Sequence, residues 1–180
     1  MKTVFDEYNE NKDAIANVLH EVEQEKMQLD IEVGTTINCQ GVIVDVTYGD
    51  KHSVFPPHEL LKDRIFTHNH PTGRCFSRQD IKSAVLDGLL ECRVSTPQGT
   101  YFSLKRKSDA AVSLSFINDA WNATGSDALS NRIMELIKSG EIFPTDLTWD
   151  VRARIENDMM IAFLREHASE YGFIYSEGGI

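Results

Sequence analysis

Apolar residues recur at helical spacing over residues 7–28. Ile15, Val18, Leu19 and Val22 share one face, and Asn11, Lys12, Glu21, Glu23 and Lys26 fill the others. This predicts an amphipathic helix laid on a core. From Leu29 the texture changes. LDIEVGTTIN and GVIVDVTYG are rich in β-branched residues, and Asn38-Cys39-Gln40-Gly41 joins them as a turn, so a β-hairpin is predicted. Pro56-Pro57 interrupts the pattern. HELLKD then reads as a short helix or turn leading into IFTHNHP, a strand ended by Pro71.

Residues 77–91 carry the next helix. Ser77 is a natural N-cap and Asp80 falls at the third helical position, the spacing of a capping box. Ile81, Ala84, Val85, Leu86 and Leu89 form its apolar stripe. CRVSTPQGTYFSLKRK predicts two strands around the turn Pro97-Gln98-Gly99. Three further helices are predicted at Ser108–Trp121, Ser126–Lys138 and Trp149–Tyr171, with breaks at Gly125, Gly140 and Pro144. The last presents Val151, Ile155, Met159, Phe163 and Leu164 on one side. The stretch FIYSEGGI reads as an edge strand or a frayed end. The order of elements is that of an α/β layer fold. It divides into an N-terminal helix at 1–28, a core at 29–107 and a helical extension at 108–180 that shares the core's domain.

Composition narrows the functional classes. The 180 residues are 41% apolar and 26% charged, ordinary globular usage. No run of 18 apolar residues exists, so no membrane helix is expected. MKTVFDEYNENKD lacks the apolar segment of a secretory signal. The net charge of −10 disfavours binding to a phosphate backbone. Three cysteines, Cys39, Cys75 and Cys92, are too few for a disulfide scaffold, and a reducing cytoplasm is the simpler setting.

The stretch from Thr67 to Asp80 carries the chemistry. His68 and His70 alternate to one face of a strand end, about 7 Å apart along the backbone. Pro71 and Gly73 turn the chain, and Asp80 in the first turn of the next helix can swing back towards the imidazoles. Two imidazoles and a carboxylate make a three-ligand set for Zn²⁺ with a fourth position open, the mark of a catalytic rather than a structural site. Thr67 and Asn69 alternate to the opposite face and read as structural.

His-X-His-Pro followed by Ser-X-X-Asp resembles the signature of the JAMM metallopeptidases, also called MPN+ or JAB domains. HNHPTG followed by Phe-Ser-X-X-Asp-Ile is especially similar to the bacterial and phage branch and to RadC-like proteins. The likeness covers residues 29–105. Nine residues separate His70 from Asp80, whereas the eukaryotic pattern usually has ten. The difference falls in the loop at 72–76, before an intact Ser-X-X-Asp.

The resemblance implies a cytidine-deaminase-like fold, a central mixed sheet flanked by helices. It implies one catalytic Zn²⁺ held by His68, His70 and Asp80. It also implies a glutamate on an upstream strand as general base, which Glu32 matches. Glu59 competes for that role but sits in a surface turn close to the histidines. The implied reaction is hydrolysis of a peptide or isopeptide bond. Zinc lowers the pKa of its water to about 7, Glu32 relays the proton, and Ser77 donates to the oxyanion. The implied partner is a polypeptide, such as the tail of a ubiquitin-like or other small protein. Two rival readings are a non-catalytic metal-stabilised module of phage-assembly or RadC-like type and a DNA-binding repair protein.

Other signals are weaker. His58-Glu59 opens like a zincin motif, but position 62 is Lys. Cys75 is a loop residue near the site, with metal ligation its less favoured role. Cys39 and Cys92 read as small apolar residues. His167 and Glu170 lie one helical turn apart with no third ligand. Arg74, Arg78, Lys105, Arg106 and Lys107 read as solvated charge. Trp121 and Trp149 read as core.

Overall fold

In the computed structural model, which describes residues 2–180, the hairpin forms as antiparallel strands β1 (Val33–Ile37) and β2 (Ile43–Tyr48). Strand β1 also pairs antiparallel with β3 (Ile65–Asn69). The chain then passes through helix α3 (Arg78–Leu86) and returns as β4 (Glu91–Ser95), parallel to β3. Strand β5 (Thr100–Arg106) pairs antiparallel with β4 across the expected Pro97-Gln98-Gly99 turn. FIYSEGG becomes β6 (Phe173–Gly179), antiparallel to β5, so the tail extends the sheet. The strand order β2-β1-β3-β4-β5-β6 makes a mixed α/β fold.

Alternation along β1 and β3 sends side chains to two different layers. Ile37 and Ile65 meet Ile15 and Leu19 of α2 (Lys12–Lys26) on one face. On the other face Phe66, Cys92, Val94 and Leu104 pack with α3, α4 (Ser115–Thr124) and α6 (Trp149–His167). Phe116 of α4, Leu164 of α6 and Phe173 of β6 are fully buried there. A smaller apolar cluster joins α5 (Ser126–Ser139) to α6 through Leu129, Ile133, Leu136 and Ile155.

Several boundaries differ from expectation. The first helix divides at Asn11 into α1 (Val4–Glu10) and α2, because Thr3 caps α1 with its own box and Asn11 closes it. Helix α3 stops at Leu86 rather than running to residue 91. Gly88 adopts φ +64, and Leu89 and Leu90 drop into the core before β4 begins. Leu86 itself is exposed. Residues 108–114 are not helical, so the expected helix from Ser108 starts only at Ser115. Helix α6 ends at His167, and a 3-10 turn follows at Ala168–Tyr171. Met160 rather than Met159 enters the main core, while Met159 faces the α5 cluster. Among the described residues no helix is long and apolar enough to cross a membrane.

Candidate metal centre

Four side chains from distant parts of the chain meet at the end of β3. His68 lies within β3 and His70 just past it, and their Nε2 atoms face each other at 2.9 Å. Asp80 in the first turn of α3 places Oδ1 3.1 Å from His68 Nε2 and Oδ2 3.5 Å from His70 Nε2. Glu32 directly precedes β1, and its Oε1 lies 3.9 Å from His70 Nε2. The ligating atoms of Glu32, His68 and His70 all lie within 4.8 Å of one another, and all three residues are buried.

Local structure accounts for each placement. The Ser77 amide donates to Asp80 Oδ2 at 2.6 Å, and the Asp80 amide donates to Ser77 Oγ at 3.2 Å. The anticipated capping box therefore forms, and the same carboxylate that caps α3 reaches the imidazoles. Gly34 pairs with His68 across β1 and β3. A Cβ there would collide with the Phe66 ring, which stacks against His68 with centroids 5.2 Å apart. His70 Nδ1 lies 2.9 Å from the Cys75 carbonyl and 3.1 Å from that of Arg74. Both are acceptors, so Nδ1 carries the proton and Nε2 keeps its lone pair for the site.

The electrostatics are those of crowded opposite charges in a dry place. Burial pushes the Glu32 carboxyl up to about 7, opposed by His68 and assisted by Asp80 and Asp50. Burial pulls His70 down to about 4, helped by the charge of His68. Burial also pulls on His68, but the charge and hydrogen bond of Asp80, with Glu32, outweigh it and raise that imidazole. For Asp80, burial opposes ionisation, yet His68, His70 and Ser77 hold the carboxyl well below the usual range.

A divalent cation fits this donor set. Two carboxylates converge with two imidazoles, and no Lys or Arg forms an ion pair with either carboxylate among the described residues. Two nitrogens on one tetrahedral zinc ion, each at about 2.0–2.1 Å, stand about 3.3 Å apart. The 2.9 Å spacing of the imidazoles is within a few tenths of that value. Among the described residues His68 Nδ1 is buried with no hydrogen-bond partner, and the ring stacks on Phe66.

The centre opens into a cleft of about 690 Å³, in the range of ligand pockets. Glu32, His70, Ser77 and Asp80 line it on one side, and Val54 and Phe55 flank it. Ser77 Oγ accepts the Asp80 amide, which leaves its O–H free to donate into the cleft. A further part of the lining was not legible in the sequence. It comes from the helical extension, through Trp121, Glu156, Asn157 and Met160. No motif marks these residues, and only the packing of α4 on α3 and of α6 on α4 brings them there.

The remaining sequence signals fall elsewhere. Glu59 is exposed on a 3-10 turn at His58–Leu60, and His58 pairs with Asp87 at 2.9 Å. Cys75 is buried, with Sγ 3.9 Å from the Phe76 and Asn157 carbonyls, and burial pushes its thiol up to about 12. Cys39 and Cys92 are buried, as small apolar residues would be. His167 bonds Glu170 at 3.2 Å on the surface. Trp121 and Trp149 are not core, being 55% and 86% exposed. The basic residues form no single patch. Arg78 is structural rather than solvated, donating to the Thr124 carbonyl at 2.7 Å and stacking 4.2 Å over Trp121. Lys105 sits over Tyr8, Arg106 pairs with Asp63, and Lys107 bonds Ser169.

No protein-family model, no curated protein and no solved structure matches the chain. What the site can do therefore rests on its own geometry and on the motif that predicted it.

Proposed function

We propose that the chain is a zinc-dependent hydrolase of peptide or isopeptide bonds, built on a core of JAMM (MPN+) type. One observation carries this reading. Of the five residues singled out in the sequence, Glu32, His70, Ser77 and Asp80 line one cleft, and His68 lies directly behind it against His70 and Asp80. His68, His70 and Asp80 are the ligands. Zinc bound there supplies an activated water near neutral pH and polarises the scissile carbonyl.

The protein's own groups do the rest. Glu32, 3.9 Å from His70 at the edge of the ligand set, takes a proton from the attacking water and returns it to the leaving amine. The Ser77 hydroxyl donates to the oxygen on which negative charge develops. The substrate is an extended polypeptide that fits the open cleft, such as the tail of a ubiquitin-like or other small protein.

The test is zinc analysis together with cleavage assays on a mixed peptide pool and on ubiquitin-like fusions. Wild type is expected to hold one zinc per chain and to cut. Glu32→Gln is expected to hold zinc and to keep only a small, measurable residue of cutting. Full activity in that variant would remove Glu32 from the mechanism. Chelation that lowers the melting temperature, with no substrate cut by wild type, would assign a metal-stabilised interaction module instead.

A further inference from the structure

The carboxylate of Glu32 accepts no hydrogen bond from any side chain or amide among the described residues. The His70 imidazole stands 3.9 Å from it, beyond hydrogen-bond range. Glu32 is nonetheless buried. Its position is therefore set by the backbone that carries it, and that backbone is held from two sides. On the β2 side, the Glu32 amide donates to the Asp50 carbonyl at 2.7 Å and the Gly49 amide donates to the Glu32 carbonyl at 2.8 Å. On the β3 side the holder is a side chain. Asn69 accepts the Val33 amide on Oδ1 at 2.7 Å and donates through Nδ2 to the Ile31 carbonyl at 2.8 Å. A longer contact reaches the Leu29 carbonyl at 3.4 Å. Asn69 thus grips the residue before Glu32 and the residue after it.

Asn69 is 0% exposed and lies between His68 and His70. Alternation along β3 explains why one strand end can do both jobs. The imidazoles point to the cleft face, while the intervening amide points to the opposite face, where the segment carrying Glu32 crosses. Only a primary amide both accepts from Val33 and donates to Ile31 at this place. A carboxylate would accept but repel the carbonyls, and an alkyl side chain would leave buried backbone groups unpaired.

Accordingly, we infer that Asn69 is a positioning residue. It holds Glu32 in fixed relation to the two imidazoles, so that the middle residue of His-X-His is the link between base and ligands. The inference rests on the hydrolase reading for its kinetic consequence, but not for its structural one.

The experiment compares wild type, Asn69→Ala, Asn69→Asp, Glu32→Gln and the double variant Asn69→Ala/Glu32→Gln. Amide hydrogen exchange on the full chain is the readout independent of activity. In Asn69→Ala the Val33 amide is expected to lose protection while the β4 and β5 amides keep theirs. In Asn69→Asp the Val33 amide stays protected, because an acceptor remains. Zinc content is expected to match wild type in all variants.

On the peptide pool used above, Asn69→Ala is expected to lower kcat about 10- to 100-fold with KM little changed. The double variant is expected to be no slower than Glu32→Gln alone. A Val33 amide that stays protected in Asn69→Ala overturns the inference. So does a kcat loss that adds to that of Glu32→Gln, since it would place Asn69 on a separate path. If wild type cuts nothing, the hydrolase reading fails, and the exchange pattern alone still decides whether Asn69 holds this segment.

Discussion

Ser77 carries a cap in the fold and a donor in the proposed reaction. Its oxygen accepts the Asp80 amide as an N-cap, and the residue lines the cleft with its hydroxyl proton free to donate. The two roles separate by substitution. Ser77→Ala removes both and is expected to cost about 1 kcal/mol of stability, whereas Ser77→Gly costs only a few tenths, since glycine tolerates the cap position. Under the proposed reaction both variants lack the oxyanion donor and are expected to slow cleavage by about 100- to 1000-fold. Thermal melts paired with initial rates check this. Equal rates with unequal melting temperatures would confirm two independent functions, and full activity in Ser77→Gly would leave the hydroxyl with the cap alone. The site was legible at this scale because its residue types are rare in combination and their spacing is local. Asn69 was legible only as structural, because its partners, Ile31 and Val33, are far away in sequence.

Elements were legible where the signal was local. The turns at Asn38–Gly41 and Pro97–Gly99 and the cap at Ser77 all formed. Expectations failed where tertiary contacts decided. Ser108–Leu114 lacks a start signal strong enough to resist the loop that carries Val112 past Gly172. Trp121 stays 55% exposed, with Arg78 over one face of its ring.

The face of the sheet behind the imidazoles holds a second feature that periodicity could not reveal. Glu23 of α2 is buried on the apolar face of its helix. It receives two hydrogen bonds from Arg93, at 2.7 and 2.9 Å, and one from Thr67 at 2.9 Å. Arg93 also reaches Glu91, which Ser103 and Tyr8 satisfy in turn. Such a network ties α1 and α2 to β3, β4 and β5. Arg93→Ala would leave two buried carboxylates without their cation and is expected to destabilise by about 3–5 kcal/mol in urea unfolding. A loss below 1 kcal/mol would show that the carboxylates reach water.

For the whole molecule, the three thiols carry a pH signature. Burial pushes Cys39 up to about 11 and Cys75 up to about 12, and holds Cys92 well above its ordinary value. Unfolded thiols ionise near about 8.5. Above that pH the unfolded chain sheds protons that the folded chain keeps, so unfolding is favoured as pH climbs. Stability measured by urea titration is therefore expected to fall between pH 8 and pH 10. That slope should shrink when the three cysteines are replaced by alanine. An unchanged slope would assign the alkaline loss to other groups.

The strand that closes the core comes late. Phe173 opens β6 fully buried against Phe116, yet β6 pairs with β5, which ends at Arg106. During synthesis, both histidines, Asp80 and Glu32 leave the ribosome long before that strand does. A nascent chain halted before Phe173 would carry every would-be ligand on a sheet still missing one wall.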